Sequence, residues 1–134
     1  MQGLHLTADL HGCTGALPAM TDVDTLRALC LQAVACAGLQ AVNTLFHRFA
    51  PAGNTEQPTG ITGVVLLAES HLAVHTWPEL QAVTLDVYVC NFSADHADAA
   101  QALMDTLIAH FQPRNVERHR LQRGALAPQP MSAA

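Results

Sequence analysis

Residues 61–90 read ITGVVLLAESHLAVHTWPELQAVTLDVYVC and contain three strand-like segments in succession. Residues 61–68 are apolar and β-branched at their start, and residues 71–77 alternate between polar and apolar side chains. Residues 83–90 carry valine or leucine at every second position, with polar side chains between them. A period of two predicts β-strands, so this stretch predicts three consecutive strands with short connections and a largely antiparallel sheet.

The chain before this stretch predicts a strand, a helix and a second strand. Residues 4–10 alternate between apolar and polar side chains, which is typical of a half-buried strand. Thr21 is the predicted N-cap of a helix whose apolar residues recur at helical spacing until Gly38. Residues 40–49 predict the next strand, and residues 50–60 form a loop rich in proline and glycine.

The chain after it predicts one helix and one strand. Ser93 is the predicted N-cap of the second helix, which Pro113 ends, and residues 116–122 form a last strand. The tail 124–134, rich in alanine and proline, is expected to be loose. The order β-α-β-β-β-β-α-β predicts a single α+β domain over residues 1–134. It is a two-layer sandwich with two helices on one face of a mainly antiparallel sheet.

Composition excludes several classes of protein. All six basic residues are arginines, so the usual lysine of pyridoxal phosphate enzymes and of P-loop nucleotide enzymes is absent. The net charge of -5 argues against nucleic acid as a partner. The four cysteines have no zinc spacing, no histidine pair has a third ligand, and no metal site is predicted. There is no signal peptide or long apolar run, so we expect a cytoplasmic protein without membrane contact.

Reactive side chains are densest in residues 69–79, ESHLAVHTWPE. This segment contains two carboxylates, two histidines, two hydroxyls and the only tryptophan. An unbroken strand would put Ser70 and His75 on opposite faces, which is poor geometry for a direct nucleophile–base pair. A turn near Glu69 would remove that objection. The pattern alone also fits a strand with ordinary polar residues on its solvent-exposed face.

The segment GVVLLAESHLAVHTWPE closely resembles the processing site of the prokaryotic S-adenosylmethionine decarboxylase proenzymes. The resemblance extends to TLFHRF at residues 44–49 and to DVYVC at residues 86–90. Roughly residues 3–123 follow the family pattern.

The resemblance implies a chain that cuts itself at the bond between Glu69 and Ser70. The products would be a β chain of residues 1–69 and an α chain of residues 70–134. Ser70 would become a pyruvoyl group that forms a Schiff base with the substrate amine. His75 matches the residue that transfers a proton during processing, and Thr62 stands where the family usually has a serine that helps the acyl shift.

The resemblance also implies a catalytic acid and a substrate pocket. Cys90 matches the proton donor of the decarboxylation step. Phe49 matches an aromatic ring that stacks on adenine, with Phe46 close by, and Glu79 matches a carboxylate that receives the ribose hydroxyls. Asp9 lies near an acidic family position in the first strand. The implied enzyme is a homodimer of αβ protomers that decarboxylates S-adenosylmethionine and supplies the aminopropyl donor for spermidine synthesis.

Two departures from the family pattern keep alternatives open. The loop at 50–61 is longer than in the short family members, and Asn91 stands where glycine is common. One alternative is a pyruvoyl-dependent decarboxylase of ornithine or arginine, because such relatives keep the same processing residues. Another is a non-catalytic relative, whose signature would be loss of Ser70, His75 or Cys90; all three are present.

Overall fold

The computed structural model describes residues 2–53, 56–92 and 94–124. The predicted cap Ser93 and the predicted tail beyond Gly124 lie outside the described residues. The elements are β1 (Gly3–His11), α1 (Leu17–Thr21), α2 (Val23–Cys36), β2 (Ala41–Arg48), β3 (Ile61–Leu67), β4 (Ser70–Trp77), a 3₁₀ turn (Pro78–Leu80), β5 (Ala82–Cys90), α3 (Ala97–Phe111) and β6 (Asn115–Arg123).

The six strands form one sheet in the order β2-β3-β4-β5-β1-β6, and every neighbouring pair is antiparallel. The three strands predicted from residues 61–90 pair with one another in sequence order. Leu67 pairs with Ser70, so Ala68 and Glu69 form a two-residue turn between β3 and β4. The predicted α+β two-layer fold is confirmed.

One face of the sheet packs against the helices and forms the core. Strand alternation sends every second side chain of β1, β4 and β5 into this core, while α2 packs on β2 and β3 and α3 packs on β1 and β5. The largest fully buried side chains include Leu10, Leu26, Ile61, Leu72, Leu85, Leu103, Met104, Leu107 and Phe111.

The first helical region differs from its prediction. Leu17 starts a short helix, α1, with Pro18 in its first turn. This helix ends at Thr21, so Thr21 is not the N-cap of the long helix. That cap is Asp22, whose carboxylate accepts the Thr25 N–H at 3.0 Å. The prediction was wrong by one residue because either residue type can cap a helix. α3 begins at Ala97, with His96 in the N-cap position.

The other face of the sheet, called the open face here, is covered by no helix among the described residues. Cross-strand pairing places polar residues there, in rows that run across the sheet. Apolar side chains also lie on it, and Leu45 and Leu66 are 72% and 47% exposed. Within the described ranges, no helix is both long enough and apolar enough to cross a membrane.

Candidate active site

The turn between β3 and β4 holds the bond predicted to be cut. Ser70 has a φ of 156°, a region that residues with a Cβ rarely adopt. Such a conformation costs on the order of 1–3 kcal/mol and persists only where the surrounding structure enforces it. Here the pairing of Ser70 with Leu67 on one side and with Val89 on the other enforces it. The strain therefore lies in the backbone of Ser70, directly after the bond between Glu69 and Ser70.

The carbonyl of that bond is polarised by a neighbouring strand. The Cys90 backbone N–H donates a hydrogen bond to the Glu69 carbonyl oxygen at 2.8 Å. A donor in this position would stabilise negative charge on the oxygen if the Ser70 hydroxyl attacked the adjacent carbonyl carbon. The Glu69 side chain points away from this chemistry, since its carboxylate accepts the Gln40 N–H at 3.1 Å.

Cys90 differs in its surroundings from two of the other three cysteines. Cys13 and Cys30 are buried, and burial raises the pKa of the Cys30 thiol to about 12. Cys90 is half-buried and alternates with Val89 so that it lies on the open face with Tyr88 and Asp86, as predicted. Its thiol is therefore accessible at the end of the sheet that carries the Glu69–Ser70 bond.

His75 and Thr62 form a second polar pair at the other end of β4. They are cross-strand partners, and the Thr62 hydroxyl oxygen lies 2.7 Å from His75 Nδ1. The threonine thus provides the hydroxyl that the resemblance assigns to a serine. A hydroxyl that is hydrogen-bonded to an imidazole can exchange a proton with the ring.

A cavity of about 510 Å³ opens beside this pair. Phe49, Glu79 and Trp77 line it together with His75 and Thr62, and the loop residues 50, 52 and 57–60 also line it. Phe49 is half-exposed and meets the His47 ring edge-on at a centroid distance of 5.1 Å. The structure thus brings together Phe49 and Glu79, the two residues implied for the adenosine part of a substrate.

Phe46 and Asp9 do not line this cavity. Phe46 is buried on the helix side of β2, where the Arg27 guanidinium lies 5.3 Å from its ring centroid. Asp9 lies on β1, where its partners are Thr84 of β5 and Glu117 of β6.

One chain does not bring all the predicted catalytic residues together. Ser70 and His75 are five residues apart on the same strand, so at about 3.3 Å per residue they lie about 16 Å apart. Alternation also places them on opposite faces, as predicted, because Ser70 alternates with the buried Leu72 and Val74. The Glu69–Ser70 bond and Cys90 lie at one end of β4 and form one half of the site, and His75, Thr62 and the cavity form the other half at the other end.

Two features near the two halves of the site were not predicted from the sequence. Thr76 is buried, and its hydroxyl donates to the Met20 carbonyl and accepts the Ile61 N–H, which fixes the base of the cavity. On the open face, His5 lies 3.0 Å from Asp86 near the Ser70 end. The alternation of β1 and β5 contained a signal for the second feature, because it places both side chains on one face.

Comparisons with known proteins agree with this architecture. The family model described as S-adenosylmethionine decarboxylase matches residues 4–124. The S-adenosylmethionine decarboxylase proenzyme of Aquifex aeolicus is 38% identical over 122 residues, which cover 91% of this chain and 81% of the relative. The proenzyme of Moorella thermoacetica is 32% identical over 132 residues, 98% of this chain and 94% of the relative.

A solved structure extends the likeness to three dimensions. The crystal structure of the Aquifex aeolicus adenosylmethionine decarboxylase superposes with a TM-score of 0.77 at 35% identity, covering 95% of this chain and 94% of that one. Together with the fold and the hairpin site, these matches define the class of protein. The chain belongs to the S-adenosylmethionine decarboxylase family.

Proposed function

We propose that this protein is a self-processing, pyruvoyl-dependent decarboxylase of S-adenosylmethionine that supplies the aminopropyl donor for spermidine synthesis. The observation that carries the proposal is the bond between Glu69 and Ser70, whose carbonyl accepts the Cys90 N–H at 2.8 Å and which is followed directly by the strained backbone of Ser70. Family membership supports the same reaction. Cleavage would leave chains of residues 1–69 and 70–134.

Processing follows from the groups at the hairpin. The Ser70 hydroxyl oxygen attacks the Glu69 carbonyl carbon, and the Cys90 N–H stabilises the charge on the carbonyl oxygen. The proton of the Ser70 hydroxyl passes to the Ser70 nitrogen as the bond from that nitrogen to the carbonyl carbon breaks, which leaves an ester. A His75 imidazole, supplied by the partner chain and bonded to Thr62, removes the proton from Cα of residue 70, and the ester carboxylate leaves with residue 69. Water then hydrolyses the dehydroalanine left at residue 70, which releases ammonia and leaves the pyruvoyl group.

The surroundings of residue 70 fit a pyruvoyl group made from Ser70 itself. Residue 70 pairs with Val89 on the neighbouring strand, so the half-buried thiol of Cys90, a group that can donate a proton, lies next to it. Such a group supplies a carbonyl that holds the substrate amine and accepts the electron pair released with carbon dioxide. Cys90 then delivers a proton to the substrate carbon that has lost its carboxylate. This role needs an accessible thiol, which Cys90 has and the buried Cys30 lacks.

The cavity favours a nucleoside substrate over a basic amino acid. Among the described residues, those that line the cavity include the Phe49 and Trp77 rings, apolar loop residues and one carboxylate, Glu79. An aromatic ring can stack on adenine, and a carboxylate can accept hydrogen bonds from both ribose hydroxyls. A volume of about 510 Å³ is typical of sites for ligands much larger than ornithine. Phe46 and Asp9 lie outside the cavity and are left out of this proposal.

The separation of the two halves leads us to propose a working dimer. If two chains pack open face to open face about a two-fold axis that lies in the interface, passes near Ala73 and is perpendicular to β4, the strands run in opposite directions. The Ser70–Cys90 end of one chain then meets the His75 end of its partner, and symmetry completes two sites. Burial of exposed apolar side chains such as Leu45 and Leu66 supports this contact. The free cysteines favour the reducing cytoplasm as its location.

Release of labelled carbon dioxide tests the choice of substrate. The purified protein should release it from carboxyl-labelled S-adenosylmethionine and not from labelled ornithine or arginine at equal concentration. Glu79→Gln should raise the KM for S-adenosylmethionine while the chain is still cut. Release from ornithine or arginine at a rate equal to that from S-adenosylmethionine would refute the proposed substrate.

A further inference from the structure

A cluster of four ionisable side chains and one tyrosine lies on the open face beside residue 70. His71, Tyr88 and His5 are cross-strand partners in one row over β4, β5 and β1. The Tyr88 ring centroid lies 5.8 Å from each histidine ring, and His5 Nε2 lies 3.0 Å from Asp86 Oδ1. The Arg123 guanidinium of β6 stacks on Tyr88 at 4.9 Å.

His71 lies where a base could reach a substrate amine. It follows residue 70 directly, so the two Cα atoms are about 3.8 Å apart. Its side chain occupies the open face, the face that also carries Cys90. Within one chain His75, the other histidine of β4, lies about 16 Å from residue 70 along the strand. Its imidazole is bonded to Thr62, and its proposed role is in processing.

The surroundings of His71 favour its neutral form. Partial burial lowers the pKa of the imidazole, and the charges of His5 and Arg123 lower it further, while Asp86 acts in the opposite direction. Across the hairpin, its partner on β3 is the uncharged Leu66. A histidine that stays neutral at neutral pH can accept a proton.

Chemistry at residue 70 requires such an acceptor. An α-amino acid reaches the site mainly as its ammonium form, which has no lone pair with which to attack a carbonyl. We propose that His71 takes a proton from the ammonium nitrogen of the substrate, held in place by Tyr88 and by the His5–Asp86 pair. One N–H bond of the substrate breaks, one imidazole N–H bond forms, and the lone pair remains on the substrate nitrogen. This inference rests on the proposed function.

A histidine titration by NMR tests the inference without turnover. The Ser70→Ala chain, which cannot be cut, serves as the background, and His71→Gln in it assigns the resonance. His71 should titrate below the ordinary histidine value, and Arg123→Gln should raise its pKa because a nearby cation is lost. Arg120→Gln is the matched control, since it removes a charge from the other face of the same strand and should leave the value unchanged. A His71 that titrates at or above the ordinary value would overturn the proposal.

Kinetics of the processed enzyme provide the second test. His71→Gln should still be cut completely, while kcat/KM falls by about 10²-fold or more, the range for loss of a general base. Protonation of His71 should set the acidic limb of the pH profile, so Arg123→Gln should move that limb to higher pH. His119→Gln, an exposed change on β6, should leave rate and profile unaltered.

The outcomes separate this inference from the proposed function. A wild-type chain that remains uncut, or that releases no carbon dioxide from S-adenosylmethionine, would refute the proposed function. A wild-type chain that is active, together with a His71→Gln chain of equal kcat/KM and equal pH profile, would overturn only the role of His71.

Discussion

Mixed dimers should restore activity from two inactive chains. Ser70→Ala removes the processed residue at one end of β4, and His75→Ala removes the imidazole about 16 Å away at the other end. If each site takes Ser70 from one chain and His75 from its partner, neither variant alone can be cut at a normal rate. A dimer of one chain of each kind contains one intact site and one site that lacks both groups.

The magnitude follows from random pairing of the two variants. Co-expression in equal amounts produces mixed dimers as about half of the population, and each has one intact site of two. About one quarter of wild-type activity per chain should therefore return. Mass spectrometry should show that the cut chain is the one carrying His75→Ala, because its Ser70 meets the partner's intact imidazole.

A second pairing serves as the control for this experiment. Ser70→Ala with Cys90→Ala removes two groups of the same half-site, so no site in a mixed dimer has both, and activity should stay low. Normal cutting of the His75→Ala chain expressed alone would refute the reasoning. Cutting of the Ser70→Ala partner in the mixture would refute it as well.

Two further predictions concern the buried hydroxyl of Thr76 and the accessibility of the cysteines. Thr76→Val should destabilise the fold by about 2–4 kcal/mol, because the buried Ile61 N–H and the Met20 carbonyl each lose a hydrogen-bond partner. Thr76→Ser keeps the hydroxyl and should cost much less. Chemical denaturation measures the free energy of unfolding of both variants. Thiol labelling of the folded chain at pH 8 should modify the exposed Cys36 and spare Cys30, whose pKa burial raises to about 12; labelling of Cys30 at a similar rate would contradict the burial.

Much of the fold follows from local pattern. The period of two in residues 61–90 predicts three strands. Their connections, a two-residue turn and a short 3₁₀ turn, are too short for a crossover, so neighbouring strands must be antiparallel. The same period predicts that Ser70 and His75 face opposite sides. It also separates Phe46 from Phe49, since an odd spacing in an extended chain puts two side chains on opposite faces. Only one of the two rings can therefore face the cavity, and in the structure it is Phe49.

Other features depend on contacts between distant parts of the chain. The placement of β1 between β5 and β6 is set by packing, which strand periodicity does not encode. α1 has five residues, too few for a helical period to appear. The hydrogen bond from the Cys90 N–H to the Glu69 carbonyl joins residues 21 positions apart, and only the register between β4 and β5 reveals it.

The intact mass of the purified chain tests the central claim most directly. The account predicts two polypeptides, residues 1–69 and 70–134, with the second blocked at its N-terminus and lighter by one ammonia than a fragment that begins with serine. Ser70→Ala should yield one uncut chain. A single uncut wild-type chain of 134 residues, or a second fragment with a free N-terminal serine, would contradict self-processing at Glu69–Ser70.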